Sequence, residues 1–249
     1  MRRVGFLLIL LVGMSGAAAA APPDLAAAEQ LYREGDYRAA AEAYHQVLNQ
    51  GLASGEIYYN LGNCYYKLGD YGRAILHYER ARRWLGQDSD LDLNLQLANL
   101  KVPDRIEPLP RFFLLRLVEG LGDLLASRRW ALLVLLCEWV LLACLAGLLI
   151  VRRPKHRRLL AGVFVAAGFL FLVSGGFYLQ QSARENQPQG VVLSDRIDVL
   201  SAPEAGATEL FALHEGVKFR ILRRVPGWAE IHLADGKRGW MPQSAFESI

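Results

Sequence analysis

Few residues of this 249-residue chain are placed to do chemistry. The five histidines lie in separate segments without a common spacing: His45, His77, His156, His214 and His232. The sequence has no HExxH motif, no phosphate-binding loop and no nucleophile elbow, the short patterns that position a metal, a phosphate or a catalytic serine. We therefore expect no catalytic residue, no cofactor and no enzymatic activity. His45 and His77 are expected to be solvated on helix surfaces.

The three cysteines predict neither a metal centre nor a disulfide framework. Cys137 and Cys144 lie inside an apolar run, whereas Cys64 lies in an aqueous segment. Metal sites of the zinc type need clustered Cys and His ligands, and no CxxC or Cys/His spacing is present. We expect no metal site, and we expect Cys64 to be a buried, unreactive thiol.

Composition and charge exclude further classes. The net charge of +3 is too small to predict nucleic-acid binding. Hydrophobic residues make up 53% of the chain, and they concentrate at its start and in two runs between residues 130 and 179. This uneven distribution predicts a membrane protein with soluble parts rather than one globular domain.

The first hydrophobic segment, residues 1–20, predicts a secretory signal peptide. Arg2 and Arg3 precede a short apolar run, and small residues follow at 15–21. Cleavage is expected after Ala20, because Ala18 and Ala20 form the small pair and Pro22 disfavours cleavage directly before it. The apolar run is also shorter than the roughly 20 residues that a membrane span needs. An uncleaved anchor helix is the alternative.

Two later runs, residues 130–151 and 159–179, are each long enough to cross a bilayer as a helix of about 30 Å. The basic segment 152–158 between them, RRPKHRR, is expected to stay in the cytoplasm, because short basic loops are retained there. Both flanking parts would then lie outside the cytoplasm, in agreement with the signal peptide. We predict a two-pass inner-membrane protein whose soluble domains are periplasmic.

Glu138 is the single acidic residue inside these runs. Burying its carboxylate in hydrocarbon costs about 2–3 kcal/mol or more, so an ionisable residue in a span is a candidate functional site. Ala143 and Gly147 form a small pair suited to packing on the second span, and Glu138 projects away from that pair. We expect Glu138 to contact a partner's transmembrane helix. The alternative is a protonated side chain that is merely tolerated.

The N-terminal soluble part contains an internal sequence repeat. The recurring positions are Gly35-Asp36-Tyr37 with Gly69-Asp70-Tyr71, Ala40 with Ala74, and Tyr44 with Tyr78. Each Gly-Asp supplies a turn and a cap, and each alanine is small where paired helices approach closely. The constant spacing and the helix–turn–helix pattern resemble the tetratricopeptide repeat. They predict a domain at 21–101, with units at 21–54 and 55–88 and a capping helix at 89–101.

The resemblance implies a groove that holds a short peptide or one helix of a partner protein. The groove-facing positions it implies are Glu29, Tyr32, Arg33, Tyr59, Asn63, Tyr66 and Lys67. The alternative for each tyrosine is a purely structural role in packing between helices.

Residues 102–129 predict a linker followed by an amphipathic helix. Three prolines between 101 and 110 break the helical array. In the stretch 111–127, Arg116, Glu119 and Asp123 form one stripe, and the leucines lie opposite. This helix is expected to lie on the outer leaflet of the membrane. The alternative is a helix packed under the repeat domain.

After a polar linker at 180–189, residues 190–249 predict a β domain. Residues 228–233 alternate in polarity, and Asp235-Gly236 is a hairpin turn. The motifs resemble those of the bacterial SH3-like domain: 199–203, 214–216, 227–228, 234–236 and 239–240. Leu200 and Ala202 stand where that family usually has Arg and Gly. Trp228 and Trp240 are expected to line a groove, with packing in the barrel core as the alternative.

Together these segments predict a multidomain membrane protein: an all-α tetratricopeptide-type helical repeat, a transmembrane helical hairpin and a small all-β SH3-like barrel. This order of parts, with the linker DRIEPLP at 104–110, resembles the BatE family, the repeat-containing component of the Bacteroides aerotolerance operon. That resemblance implies von Willebrand-type Bat proteins as partners, an indirect link to a MoxR-type ATPase, and a setting of envelope stress or oxygen tolerance.

Two functions remain open from the sequence. In the first, the protein is a scaffold that presents its repeat groove to partners in the membrane or the periplasm. In the second, it is a cell-wall receptor whose SH3-like module binds peptidoglycan. Both are non-enzymatic, and neither involves nucleic acid.

Overall fold

The computed structural model describes residues 23–86, 88–110 and 112–249, so the predicted signal peptide lies outside the described residues. The N-terminal part contains five helices: α1 (Pro23–Glu34), α2 (Tyr37–Asn49), α3 (Gly55–Leu68), α4 (Tyr71–Leu85) and α5 (Ser89–Asn99). Three more helices follow: α6 (Phe113–Gly122), α7 (Ser127–Ile150) and α8 (Pro154–Glu185). The C-terminal part is made of strands.

The repeated Gly-Asp pair ends one helix and starts the next. Gly69 adopts a left-handed conformation (φ +81°) at the end of α3, which a residue with a Cβ rarely adopts. The Asp36 carboxylate accepts a 3.0 Å hydrogen bond from Ala39 N–H, and Asp70 accepts one of 2.9 Å from Arg73 N–H. The same local chemistry therefore builds the same turn twice, once in each repeat.

The paired helices pack closely where their residues have small side chains. A Cβ added at Gly62 in α3 would lie 2.4 Å from the Tyr78 ring of α4, so a larger residue here would displace that ring. Tyr44 and Tyr78 are fully buried, each in the core of its own repeat. In α5, Leu91, Leu95 and Ala98 are buried against α4, a spacing that fits a helix rather than a strand.

Helices α7 and α8 form a hairpin, and both are long and apolar enough to cross a membrane. The buried residues of α7 in this hairpin are Trp130, Cys137 and Cys144, and those of α8 are Ala167 and Ser174. Of the predicted small pair, Gly147 lies against Leu160 of α8, whereas Ala143 is exposed.

α8 is longer than the predicted span at both ends. Residues 154–158, expected in a basic loop, and residues 180–185, expected in a linker, are helical. Pro154 fits the first helical turn, where its missing N–H needs no partner, and Lys, Arg, Gln and Ala favour helix. The helix therefore continues past the apolar run into polar sequence. By contrast, α6 is shorter than the predicted stretch 111–127.

The C-terminal residues 189–249 form a seven-stranded antiparallel sheet. Its strands are β1 (Gln189–Val192), β2 (Arg196–Leu200), β3 (Glu209–His214), β4 (Lys218–Val225), β5 (Trp228–His232), β6 (Arg238–Pro242) and β7 (Phe246–Ser248). Their order in the sheet is β3-β2-β6-β5-β4-β1-β7. In β5, Ala229 and Ile231 point into the core while Trp228, Glu230 and His232 point away, as the alternation predicts.

The helical repeat and the sheet pack directly against each other. Val191 of β1 is fully buried in the core of the second repeat. Around this apolar contact, Lys218 Nζ lies 2.9 Å from Glu79 Oε2, and an Arg80 guanidinium nitrogen lies 2.7 Å from Glu247 Oε1. The helical repeat and the sheet therefore share one interface, although a helical hairpin separates them in sequence.

The proline-rich segment 101–110 runs along the sheet and strengthens this interface. The Asp104 carboxylate accepts a hydrogen bond from the His214 backbone N–H (2.7 Å) and lies 2.9 Å from His214 Nδ1. Leu109 N–H donates to the Ala234 carbonyl oxygen, and Val102 and Ile106 pack on the core of the sheet. The predicted linker is thus attached to the C-terminal domain along its length.

Candidate functional site

A groove of about 370 Å³ lies on the face formed by α1, α3 and α5. Its lining is aromatic and amide-rich, with one cation: Tyr32, Tyr59, Asn63, Tyr66, Lys67, Tyr78, Asn94 and Leu97. Five of the seven residues that the repeat pattern implied for a groove are among these. None of these lining residues is acidic.

Hydrogen bonds between its polar side chains hold the groove floor in place. Tyr78 Oη donates to Asn63 Oδ1 over 2.8 Å, and Asn94 Nδ2 donates to the same oxygen (3.1 Å) and to Tyr59 Oη (2.8 Å). Asn63 Oδ1 therefore accepts twice, which orients its amide N–H₂ as a donor available to a ligand. Burial raises the pKa of Tyr78, so its phenol stays neutral and remains a donor.

The other two predicted groove residues, Glu29 and Arg33, do not line this cavity. They lie one turn apart on α1, and their side chains approach each other to 3.8 Å at the exposed end of the array. Because both are solvated, that pair adds little to stability. Glu29 lies one helical turn before Tyr32, and Arg33 follows Tyr32 directly, so both are close in sequence to a residue that lines the groove.

The repeat pattern did not predict three of the lining residues: Tyr78, Asn94 and Leu97. The repeat pattern gives Tyr78 a packing role, and its ring does pack, but its hydroxyl reaches the floor. α5 begins one repeat period after α3, so it stacks as the next helix of the same kind. Extending the period once more finds Leu97, which occupies in α5 the position that Asn63 occupies in α3.

A second cleft of about 340 Å³ lies on the opposite side of the repeat, between α2, α3 and α4. Its lining is charged: Arg38, Ala41, Glu42, His45, Tyr65, Leu68, Asp70 and Arg73. His45 Nε2 lies 2.9 Å from Tyr65 Oη at its base. Asp70, which caps α4, also pairs with Arg73, so these two charges already neutralise each other.

The expectation that His45 and His77 are solvated is wrong. His77 is only 3% exposed and His45 is half-buried, because α4 is covered by α2 and α3 on one side and by the sheet on another. The His77 ring stacks on the Tyr65 ring, with 5.3 Å between centroids, and its centroid lies 5.5 Å from that of His45. Its Nδ1 has no hydrogen-bond partner among the described residues.

Burial and nearby cations keep His77 neutral. Desolvation first, then the positive charges of Arg80 and Arg73 and the proximity of His45, lower the pKa of His77 to about 3. Desolvation also lowers the pKa of His45. The His77 ring is enclosed, whereas His45 lines the charged cleft and is bonded to Tyr65.

Residues 23–86, 88–110 and 112–249 contain no group of three or more His, Cys, Asp or Glu side chains that could hold a metal ion. Cys64 is fully buried, and burial raises the pKa of its thiol to about 12. A thiol in that state is protonated at physiological pH, and the thiolate is the reactive form.

Trp228 and Trp240 lie on adjacent strands and on the same face of the sheet, since Glu230 pairs with Trp240 and Trp228 with Pro242. Trp240 is only 7% exposed, and the Arg223 guanidinium lies 5.0 Å from its ring centroid. Arg223 is held there by Glu230 at 3.2 Å. Neither tryptophan lines the two cavities described above, and Trp228 is the more accessible of the pair.

Glu138 lies near the middle of α7 and is exposed, whereas the preceding residue, Cys137, is buried against α8. Its neighbours on the same side are the exposed Leu135, Leu142 and Leu145. The carboxyl group is therefore surrounded by apolar side chains on a surface that the hairpin itself does not cover.

Residues 25–89 match the tetratricopeptide repeat family. The match covers α1 to α4 and confirms the repeat predicted from the recurring sequence. Repeats of this family are typically non-catalytic modules, and they give the chain a role in protein–protein interaction. No curated protein matches the chain.

Proposed function

We propose that the protein is a membrane-anchored scaffold of the bacterial cell envelope that binds a segment of a partner protein in the α1–α3–α5 groove. The observation that carries this proposal is the hydrogen-bonded floor of that groove. Asn63 is held by two donors while its own amide stays available, which suits recognition of a peptide backbone. Tyr32, Tyr59 and Tyr66, which are partly exposed, add contact area at a low entropic cost.

Photo-cross-linking in cells tests the groove. A photoreactive phenylalanine at Tyr66 lies in the groove, whereas the same residue at the exposed Trp84 on α4 lies outside it. We expect protein cross-links from position 66 that Trp84 does not give, and we expect Asn63→Ala to abolish them. Identical cross-linked bands from both positions, or none from position 66, would rule out the groove as the binding site.

We also propose that α7 and α8 span the inner membrane, with both soluble domains in the periplasm. The contact between repeat and sheet supports this arrangement, because two domains that share an interface must lie on the same side. A cysteine at the exposed Ser201 should react with an impermeant maleimide in intact spheroplasts. A cysteine at His156 should react only after permeabilisation, and the reverse pattern would invert the topology.

The order of the domains extends this proposal to a specific setting. Its resemblance to the BatE family points to von Willebrand-type Bat proteins as direct partners and to a MoxR-type ATPase reached through them. Oxygen or envelope stress tolerance would be the process served. Reciprocal co-purification of the full-length chain with the von Willebrand-type proteins tests this step, and a wild-type yield after Asn63→Ala would exclude the groove from that complex.

Glu138 is proposed as the contact with a partner's transmembrane helix. A carboxyl group among exposed leucines is costly within a membrane, and a hydrogen-bonding partner there would lower that cost. Glu138→Leu should reduce co-purification of membrane partners, while Glu138→Gln, which retains hydrogen-bonding atoms, should preserve most of it. Unchanged yields with Glu138→Leu would refute this contact.

Peptidoglycan binding through an SH3-like C-terminal module is the alternative function. Its requirement is an open aromatic surface, and Trp228 is the candidate that remains accessible. Full-length protein in detergent should sediment with purified sacculi if this function holds, and Trp228→Ala should abolish sedimentation. We favour the scaffold because Trp240 is covered by Arg223, which leaves little of a paired-tryptophan groove.

A further inference from the structure

Helix α6, together with Leu124 just beyond it, has one polar side that is bound to α8 and one apolar side that is open. Arg184, near the end of α8, lies 2.8 Å from Glu119 Oε1 and 3.8 Å from Asp123 Oδ1. The Trp130 indole N–H donates to the Gly122 carbonyl oxygen over 2.8 Å. These contacts fix the rotation of α6 about its own axis.

The apolar side of the helix is large and uncovered. Phe113, Leu117, Leu121 and Leu124 recur at a helical spacing that places them away from Glu119 and Asp123. Leu117 is 58% exposed and Leu124 is 71% exposed. A soluble protein rarely exposes a contiguous row of this kind unless another phase or molecule covers it.

The position of α6 identifies what covers this row. Gly122 packs on Phe177 of α8, and the Phe177 ring lies 4.9 Å from the Trp130 ring at the start of α7. α6 is therefore held where the apolar surface of the hairpin ends and the polar part of α8 begins. Tryptophan is enriched at this level of membrane proteins, where headgroups meet acyl chains. The open residues of α6 therefore lie near the end of the apolar surface of α7 and α8.

We propose that α6 is a lipid-binding helix that lies in the outer leaflet, with Phe113, Leu117, Leu121 and Leu124 inserted among the acyl chains. Arg184 is the positioning residue, because it turns the acidic side of α6 toward the protein. The proposal rests on the membrane-spanning role proposed for α7 and α8. Lipid binding by α6 would also orient the repeat domain relative to the membrane. The reason is that α6 follows segment 101–110, which is bound to the sheet.

Spin labels on the full-length chain test the proposal in vesicles of phosphatidylethanolamine and phosphatidylglycerol. The labelled positions are Leu117→Cys on the apolar side, Arg116→Cys as the matched exposed neighbour, and Leu142→Cys in α7 as the reference for membrane insertion. The native cysteines are replaced by alanine. Accessibility is measured with oxygen, which partitions into lipid, and with a water-soluble nickel chelate.

We expect an oxygen-to-nickel accessibility ratio at Leu117 several-fold above that at Arg116 and close to that at Leu142. A lipid-like ratio at Leu142 with a water-like ratio at Leu117 would overturn the inference about α6 alone. Shielding of Leu117 from both reagents would overturn it in favour of a protein contact. Water-like ratios at both leucines would remove the membrane-spanning role and this inference together.

A photoreactive residue at position 117 tests the same lipid contact in a chain that keeps its native cysteines. Cross-linking to phospholipid supports the inference, and cross-linking to protein or to neither overturns it. The groove does not include α6, so partner cross-links from Tyr66 should be the same in a Leu117 variant. Failure of the groove and failure of the lipid contact are therefore separate results.

Discussion

The buried His77 should make the stability of the repeat domain fall as the pH falls. Its pKa is about 3 in the folded chain and 6.5 in the unfolded chain. Between these values the unfolded state binds the proton and the folded state does not, so acid favours unfolding. The stability is fully present above pH 6.5 and is lost progressively toward pH 3.

The size of the effect follows from the gap between the two pKa values. One pKa unit is about 1.4 kcal/mol, so lowering the pH from 7.5 to 5 should cost about 2 kcal/mol through His77 alone. His45, whose pKa is also lowered, acts in the same direction. Glu215 has a raised pKa, because burial and the nearby Asp70 and Asp195 disfavour its charge, so it acts in the opposite direction.

The assay compares wild type with His77→Phe, which keeps a ring on Tyr65 but cannot titrate. Urea unfolding of the full-length protein in detergent is followed by far-UV circular dichroism at pH 7.5, 6 and 5. The variant should lose about 2 kcal/mol less than wild type across this interval, because the other groups are common to both proteins. His156→Phe, a change at an exposed histidine, is the control and should behave as wild type.

Equal losses in wild type and His77→Phe would refute the reasoning. So would a His77 ring resonance that titrates near pH 6.5 in the folded protein, because that would show the ring to be in contact with water.

Three further predictions concern two substitutions and the alkylation of Cys64. Lys218→Met leaves the buried Glu79 carboxylate without one of its two cations, and should lower the free energy of unfolding in urea by about 2 kcal/mol. Gly62→Ala places a Cβ against the Tyr78 ring and should destabilise the repeat by about 1–3 kcal/mol in the same assay. Cys64 should resist alkylation at pH 8 until urea unfolds the repeat, because its pKa is about 12.

Each of these has a control in the same chain. Lys237→Met removes an exposed pair with Asp235 and should change stability by no more than about 1 kcal/mol. Gly120→Ala adds a methyl group where space is open, and it should not destabilise. Ser201→Cys should be alkylated at once in the folded protein. If Lys237→Met or Gly120→Ala lowered the free energy of unfolding as much as Lys218→Met or Gly62→Ala does, the charge and packing arguments would be contradicted.

Much of the helical part could be predicted because its signals are local. A Gly-Asp pair builds the same turn wherever it occurs, and a constant repeat period stacks equivalent helices, so the groove positions Tyr59, Asn63 and Tyr66 follow from the repeat alone. Leu97 lies one repeat period after Asn63, so the repeat would also have predicted it had the pattern been extended into α5.

Two of the features that the sequence did not predict depend on contacts between different elements, and the third depends on helix propensity. His77 looks like a surface position within its own repeat, and it is buried because several elements cover α4 from different sides. Trp240 looks like a groove residue, and it is covered because a shift of register in β4 brings Arg223 opposite Glu230. The polar ends of α8 look like loop, yet helix propensity carries the helix beyond the apolar run.

By itself, the sequence determined the elements: two repeats, two long apolar helices and a set of alternating strands. These rest on propensity, capping and periodicity, which act over a few residues. The tertiary structure alone decided that the repeat and the sheet share one interface, with Lys218 on Glu79 and Asp104 on His214. Those partners are distant in sequence, and no local energy links them, so only the folded chain brings them together.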